Sequence, residues 1–359
     1  MFGIIFVVLG HGASINKGML LGSVFPYYSF HMALFAFVSG YFFKDIKCIE
    51  FLKKKTKKLI ISYLLWNIIY GIIVNLPCNI GLINNNNNFT LYNIFISPFM
   101  STSNQFKFNV AAWFLISIYF VQLIYFFINK INKKININTK YILLIVSIII
   151  AVIEIEYVKK GLNYGIWYLI TRICFLMPFY CMGQVYKGLE KYDKLNNIAY
   201  FIVLLIIQTL LMHKFKNLTY NLNLLSFKHN YIVYMLASIT GIMFWLRVSS
   251  ILEKYIGNNK IINYIGNNTY AIMMHHVFVF FIINTGIYYI NEITGLFGKF
   301  DINAYKSTVW YVYDSSNASL MLLYTILGIS VPLLVKYFYE KTINKYKDKK
   351  EVKSWNMII

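Results

Sequence analysis

The sequence predicts an all-α, polytopic integral membrane bundle of about ten transmembrane helices, and three observations predict it. Of the 359 residues, 58% are apolar and 13% charged, against roughly 25% charged in an ordinary soluble domain. The apolar residues stand in blocks close to the ~20 positions a helix needs to cross a bilayer, not in the short alternating runs of an outer-membrane barrel. The 34 Lys and Arg, against 13 Asp and Glu, fall between those blocks, where such residues orient helices and touch the headgroups of the lipid bilayer. A net charge of +21 so placed does not read as a nucleic-acid surface.

The first block, 1 to 15, contains Val7-Val8-Leu9-Gly10-His11-Gly12, and the second, 24 to 43, contains Ser29-Phe30-His31-Met32. The third, 59 to 76, follows the basic run Phe51-Leu52-Lys53-Lys54-Lys55-Thr56-Lys57-Lys58-Leu59. An asparagine run, Asn84 to Asn88, precedes the fourth block, 111 to 128; its side chains favour turns and cannot pack a core. The fifth, 141 to 157, ends at Glu154 and Glu156 beside Lys159 and Lys160, which reads as a solvated ion-pair cluster. The sixth, 166 to 185, carries Arg172, the seventh and eighth are 197 to 212 and 231 to 246, the ninth, 268 to 290, carries His275 and His276, and the tenth is 318 to 338. Ten spans use ~200 positions, so one bundle over 1–340 fills the chain and 341–359 forms a basic tail.

Charge alternates between successive connections. The segments Lys44 to Lys58, Lys130 to Lys140, Lys187 to Lys194, Arg247 to Lys260 and Lys336 to Lys353 hold 24 of the 34 basic residues. By the positive-inside rule both termini and the tail are cytoplasmic and the asparagine-rich loop is outside. The four cysteines form no CxxC pair and no zinc spacing, so neither a disulfide framework nor a metal site is expected.

Ionisable groups inside a membrane are costly and mark function by default. At ~1.5 Å per residue, His11 is expected ~15 Å deep, near the middle of a ~30 Å core, and His31 ~10 Å below the outer surface. Two imidazoles at similar depth suit general acid–base or nucleophilic group transfer; the plainer account is two core histidines bonded to carbonyls or aromatic hydroxyls. Lys55 and Lys58, three apart, share one helix face and suit either anionic lipid or the phosphates of a cytoplasmic donor. Arg172 either snorkels to the outer surface or points inward at a substrate. His275 and His276 lie on different helix faces, so at most one is expected to face the interior.

The string Val8-Leu9-Gly10-His11, followed by His31-Met32-Ala33-Leu34-Phe35-Ala36-Phe37-Val38-Ser39-Gly40-Tyr41-Phe42, resembles the acyltransferase-3 family of multi-pass bacterial O-acyltransferases. Further segments are similar to that family in the same order. They are the basic run through Lys58 to Tyr63, Ala112-Trp113-Phe114-Leu115, Arg172 with Met177-Pro178-Phe179-Tyr180-Cys181-Met182-Gly183, and Ile265-Gly266-Asn267-Asn268-Thr269-Tyr270 leading into His275. The resemblance implies transfer of an acyl group, usually acetyl from cytoplasmic acetyl-CoA, onto a hydroxyl of a sugar or polysaccharide acceptor at a bacterial plasma membrane. It implies His11 and His31 as catalytic residues, Lys55 and Lys58 on the acetyl-CoA, and Arg172, Trp113 and His275 toward the acceptor. Lys55 and Lys58 stand where many members have arginines, which keeps charge and gives up bidentate phosphate binding.

The family's usual basic and acidic opening segment has no counterpart ahead of Met1. A downstream start or a truncated copy is therefore expected, without that segment's carboxylate beside His11. Two rivals stand beside the enzyme: a transporter or flippase of an envelope precursor, which calls for inverted repeats or helices broken by paired Gly and Pro, and an inactive relative.

Overall fold

A computed structural model describes residues 1–12, 21–84, 88–100, 106–134, 140–193, 195–298 and 300–355, the stretch 345–355 without its side chains. Among these residues there are helices and no strands. Eight helices are long and apolar enough to cross a membrane and two apolar ones are shorter, so the chain is a multi-pass membrane protein. In chain order they are α1 Phe2–Gly12, α2 His31–Tyr41, α3 Cys48–Asn79, α4 Lys107–Lys134, α5 Lys140–Lys159, α6 Trp167–Tyr192, α7 Asn197–Phe215, α8 Tyr231–Ile256, α9 Thr269–Thr294 and α10 Ala318–Trp355. The tail expected at 341–359 falls on the last turns of α10 and on 356–359, which lie outside the described residues. Most of the asparagine run, 85–87, lies outside them too.

Among the described residues, the helices of the first two blocks are shorter than a full span. Each helix has 11 residues, or ~16 Å, about half of a ~30 Å core. Block 24 to 43 is helical only from His31, because Pro26 brings no N–H and is followed by a short 3₁₀ turn, Tyr27–Ser29. Residues 13–15 of block 1 to 15 lie outside the described residues.

Irregular backbone at membrane depth persists only where its polar groups are satisfied inside the protein. Here they are. Gln208 of α7 donates to the Val24 carbonyl at 2.7 Å, Ser238 of α8 to that of Ser29 at 2.6 Å, and His31 to that of Tyr27 at 2.6 Å.

Phe6 and Leu9 of α1 join the core built by α2, α4, α5, α6 and α8, while Ile4, Val7 and Val8 join the core of α3, α9 and α10. Thus α1 is the wall between two halves of the bundle, with His11 at its end. Helices α2 and α6 cross in close contact because a Cβ on Gly40 would land on the Tyr180 carbonyl and one on Gly183 on the Phe37 carbonyl. Small residues that let backbones touch are how helices associate without a hydrophobic drive between them. At the periphery, α7 buries only Leu204 and Gln208 and exposes Ile202, Ile206 and Leu210, an apolar exterior suited to lipid.

Two sequence expectations change locally. Glu154 is not part of a solvated cluster: it is buried and accepts from Thr171 of α6 at 2.7 Å, while Glu156 pairs with Lys159 at 2.9 Å. The third span begins earlier than position 59, at Cys48, and widens into a π-helical turn over Thr56–Ile61.

Candidate active site: a cavity with two mouths

A cavity of about 1320 Å³ follows α2 along its whole length. His31, Phe35, Val38 and Phe42 line it at intervals of four, three and four, the spacing of one helix face, so its floor extends ~16 Å. At the Phe42 end the wall is basic, with Lys54, Lys55, Lys57 and Lys58 of α3. At the His31 end it is the loop after α7, including Asn217, Thr219, Asn221, Asn223, Ser226 and Lys228. His11, Tyr28 and Trp310 also line the cavity.

The basic mouth is built by the π turn. Such turns occur mostly as single widened turns, often at functional sites, and this one contains Lys57 and Lys58. It alters the α-helical register expected between Lys55 and Lys58, yet both lysines line the cavity. Among the described residues, none of these four lysines has a carboxylate within ion-pair distance. Nearby, Asp45 is taken by other cations: Lys130 at 2.7 Å and Lys133 of α4. Hydrogen bonds from Lys130 and then Lys133 hold the Asp45 carboxyl below its usual range.

The loop mouth is tied down. Asn221 and Ser226 exchange backbone hydrogen bonds at 2.9 and 3.2 Å. Arg172 of α6, 1% exposed, donates from Nε to the Leu222 carbonyl at 3.4 Å and from Nη2 to the carbonyl and side-chain oxygens of Asn223 at 2.8 and 2.9 Å. Its guanidinium lies over the rings of Trp113 and Tyr168, at 4.7 and 5.6 Å from their centroids. Arg172 therefore does not snorkel, and it does not line the cavity; Trp113, beneath it, does. The arginine holds the loop that walls the cavity.

Between the mouths stand the histidines. The Tyr28 ring lies 5.2 Å from His31 and 6.3 Å from His11, and its hydroxyl donates to the Gly10 carbonyl at 3.0 Å. Trp310, from the loop before α10, sets its ring against His11 at 4.6 Å. His31 is 5% exposed and donates from Nδ1 to the Tyr27 carbonyl. A carbonyl only accepts, so the neutral His31 ring presents an Nε2 lone pair. It therefore suits holding a hydroxyl, and donates to an anion only when doubly protonated.

The ninth span departs from expectation. Both of its histidines face protein, because α9 is wedged between α1, α3 and α10. His276 is fully buried with Nε2 at 2.8 Å from Nδ1 of His11. His275 does not line the cavity; it bonds the Tyr70 hydroxyl at 2.5 Å and packs on Trp66. The sequence offered no signal that His276 meets His11, since the two are 265 positions apart. Tyr28 was within reach, three residues before His31 and so on its side of the chain. Among the described residues no group of three His, Cys, Asp or Glu side chains is placed to hold a metal ion.

The acyltransferase-3 family profile, described as an acyltransferase domain, matches residues 1–337 of the chain. No curated protein and no solved structure matches it.

Proposed function

The chain belongs to the acyltransferase-3 family and is a multi-pass membrane acyltransferase, and from that premise we propose that it moves an acetyl group from cytoplasmic acetyl-CoA to a hydroxyl of a cell-envelope sugar or polysaccharide in a bacterial plasma membrane. The observation that carries the reading is the single cavity that joins a basic mouth to His11 and His31 and then to a polar loop. The four lysines, with no carboxylate partner among the described residues, fit a donor rich in phosphate, held as point charges. The loop mouth carries amide and hydroxyl side chains and an indole, Trp310, beside His11, groups that match the hydroxyls and apolar face of a sugar ring. The lysine mouth is then cytoplasmic and the loop mouth external, with both termini inside.

In this mechanism His11 is the general base. Its imidazole removes the proton of the acceptor hydroxyl, the oxygen bonds to the thioester carbon, and the carbon–sulfur bond breaks. The protonated His11 returns its proton to the departing thiolate, leaving an ester and free CoA thiol. His31 accepts a hydrogen bond from the acceptor through Nε2 and orients it. Arg172 and Trp113 keep the loop wall in place.

Proteoliposomes supplied with acetyl-labelled acetyl-CoA and an envelope glycan extract test the proposal. Label in alkali-labile ester on the glycan, matched by release of CoA thiol, is the expected result. Glycan crossing the membrane with no CoA release would contradict it and leave a transporter.

A further inference from the structure

We propose that His276 is a positioning residue that fixes the tautomer of His11 so that a lone pair on His11 Nε2 faces the cavity; the inference rests on the reading of His11 as the base. The Ile272 carbonyl, the His276 ring and the His11 ring form a chain. Nδ1 of His276 lies 2.9 Å from the Ile272 carbonyl, which only accepts. His276 therefore carries its proton on Nδ1, and in the neutral ring Nε2 is an acceptor. That acceptor stands 2.8 Å from Nδ1 of His11, so Nδ1 of His11 carries the proton and donates. The one nitrogen left on His11 is Nε2, unprotonated.

Position agrees with protonation. His11 lines the cavity and His276 does not, so the Nδ1 edge of His11 faces protein. His276 is fully buried, packed edge-to-face against Phe280 at 5.8 Å. In the more familiar arrangement a carboxylate orients the catalytic imidazole and accepts from its Nδ1–H. A second neutral imidazole does the same work here. When His11 takes a proton at Nε2, its Nδ1–H becomes the donor of a charge-assisted bond to His276 Nε2, so the positive charge is shared over two rings that need no buried anion.

Two readouts separate this inference from the reading beneath it. Histidine-labelled protein in proteoliposomes, with the His11 signals identified by difference from His11→Ala, reports the tautomer by nitrogen NMR without any substrate. The expected result is Nδ1–H in the native protein, Nδ1–H in His276→Gln, whose amide oxygen still accepts, and a shift to Nε2–H in His276→Leu. An Nε2–H tautomer in the native protein overturns the inference even if His276→Leu fails to fold. In acetyl transfer from acetyl-CoA to envelope glycan extract, His276→Leu is expected to lose about 100-fold in kcat with KM for acetyl-CoA within about twofold, and His276→Gln to recover most of that loss. If His11→Ala is inactive while His276→Leu matches the native protein, the positioning role fails and the base assignment stands. If His11→Ala is fully active, the base assignment fails whatever the tautomer.

Discussion

The two mouths of the cavity are built on opposite principles. At the loop mouth, one buried guanidinium and a pair of backbone hydrogen bonds hold Asn221, Leu222, Asn223 and Ser226, and the guanidinium lies over the Trp113 ring. At the basic mouth, Lys54 and Lys55 precede a widened helical turn and Lys57 and Lys58 lie within it, with no carboxylate to hold the four among the described residues. Hydrogen-bonding groups held in place discriminate shape, because a wrong ligand leaves them unpaired. Clustered like charges attract any polyanion and discriminate little. On the proposed function, the difference puts acceptor choice in the loop and the gathering of the donor in the charge of the lysines.

Breaking the loop's anchor is expected to give the largest effect. Arg172→Met removes three hydrogen bonds from a charged donor, worth about 1.5–3 kcal/mol each before relaxation. The expected outcome is a loss of about 100-fold in kcat/KM for the acceptor with KM for acetyl-CoA within about twofold, and Arg172→Lys is not expected to rescue it, since an ammonium lacks the fork. An equal rise in both KM values would break the division of labour between the mouths.

The basic mouth is expected to respond more gently and with a different signature. Lys55→Gln and Lys58→Gln should each raise KM for acetyl-CoA about three- to tenfold at low salt and leave acceptor KM unchanged. At ~1 M salt, where the screening length falls to ~3 Å, the variants and the native protein should converge. A salt-independent defect would mean that these lysines hold structure rather than the donor.

Tyr70→Phe sharpens the contrast between the two histidines of α9. It takes away the partner of His275, which is expected to cost about 1 kcal/mol of stability and to leave kcat within about twofold. A tenfold loss of kcat would bring His275 into the chemistry.

The smallest effect is expected at Asp45. Its carboxyl is held below the usual range in the folded protein, so its pairing with Lys130 and Lys133 contributes stability above the ordinary carboxylate pKa and loses it as pH falls through the depressed value. The group is largely exposed, so Asp45→Asn should cost no more than about 1 kcal/mol in thermal unfolding at neutral pH, and progressively less as pH falls through the depressed value.

Much of this architecture was legible in the sequence because hydropathy reports directly on what lipid will accept. The ten apolar blocks correspond to eight long helices and two short ones. That α2 starts only at His31 was not legible as such, although Pro26 marks the break. What composition hides is which distant groups meet. His11 and His31 share a cavity as their depths suggested, but Nδ1 of His11 finds its partner on the ninth span. Arg172 was legible as an intramembrane cation, while the carbonyls it serves belong to a loop whose course depends on the whole bundle.

The central claim is that His11 carries the proton of the acceptor hydroxyl. The most direct measurement is the initial rate of label transfer from acetyl-CoA to glycan by His11→Ala, at the same membrane abundance as the native protein. The account predicts a fall of at least about 100-fold. A rate equal to the native one would contradict it.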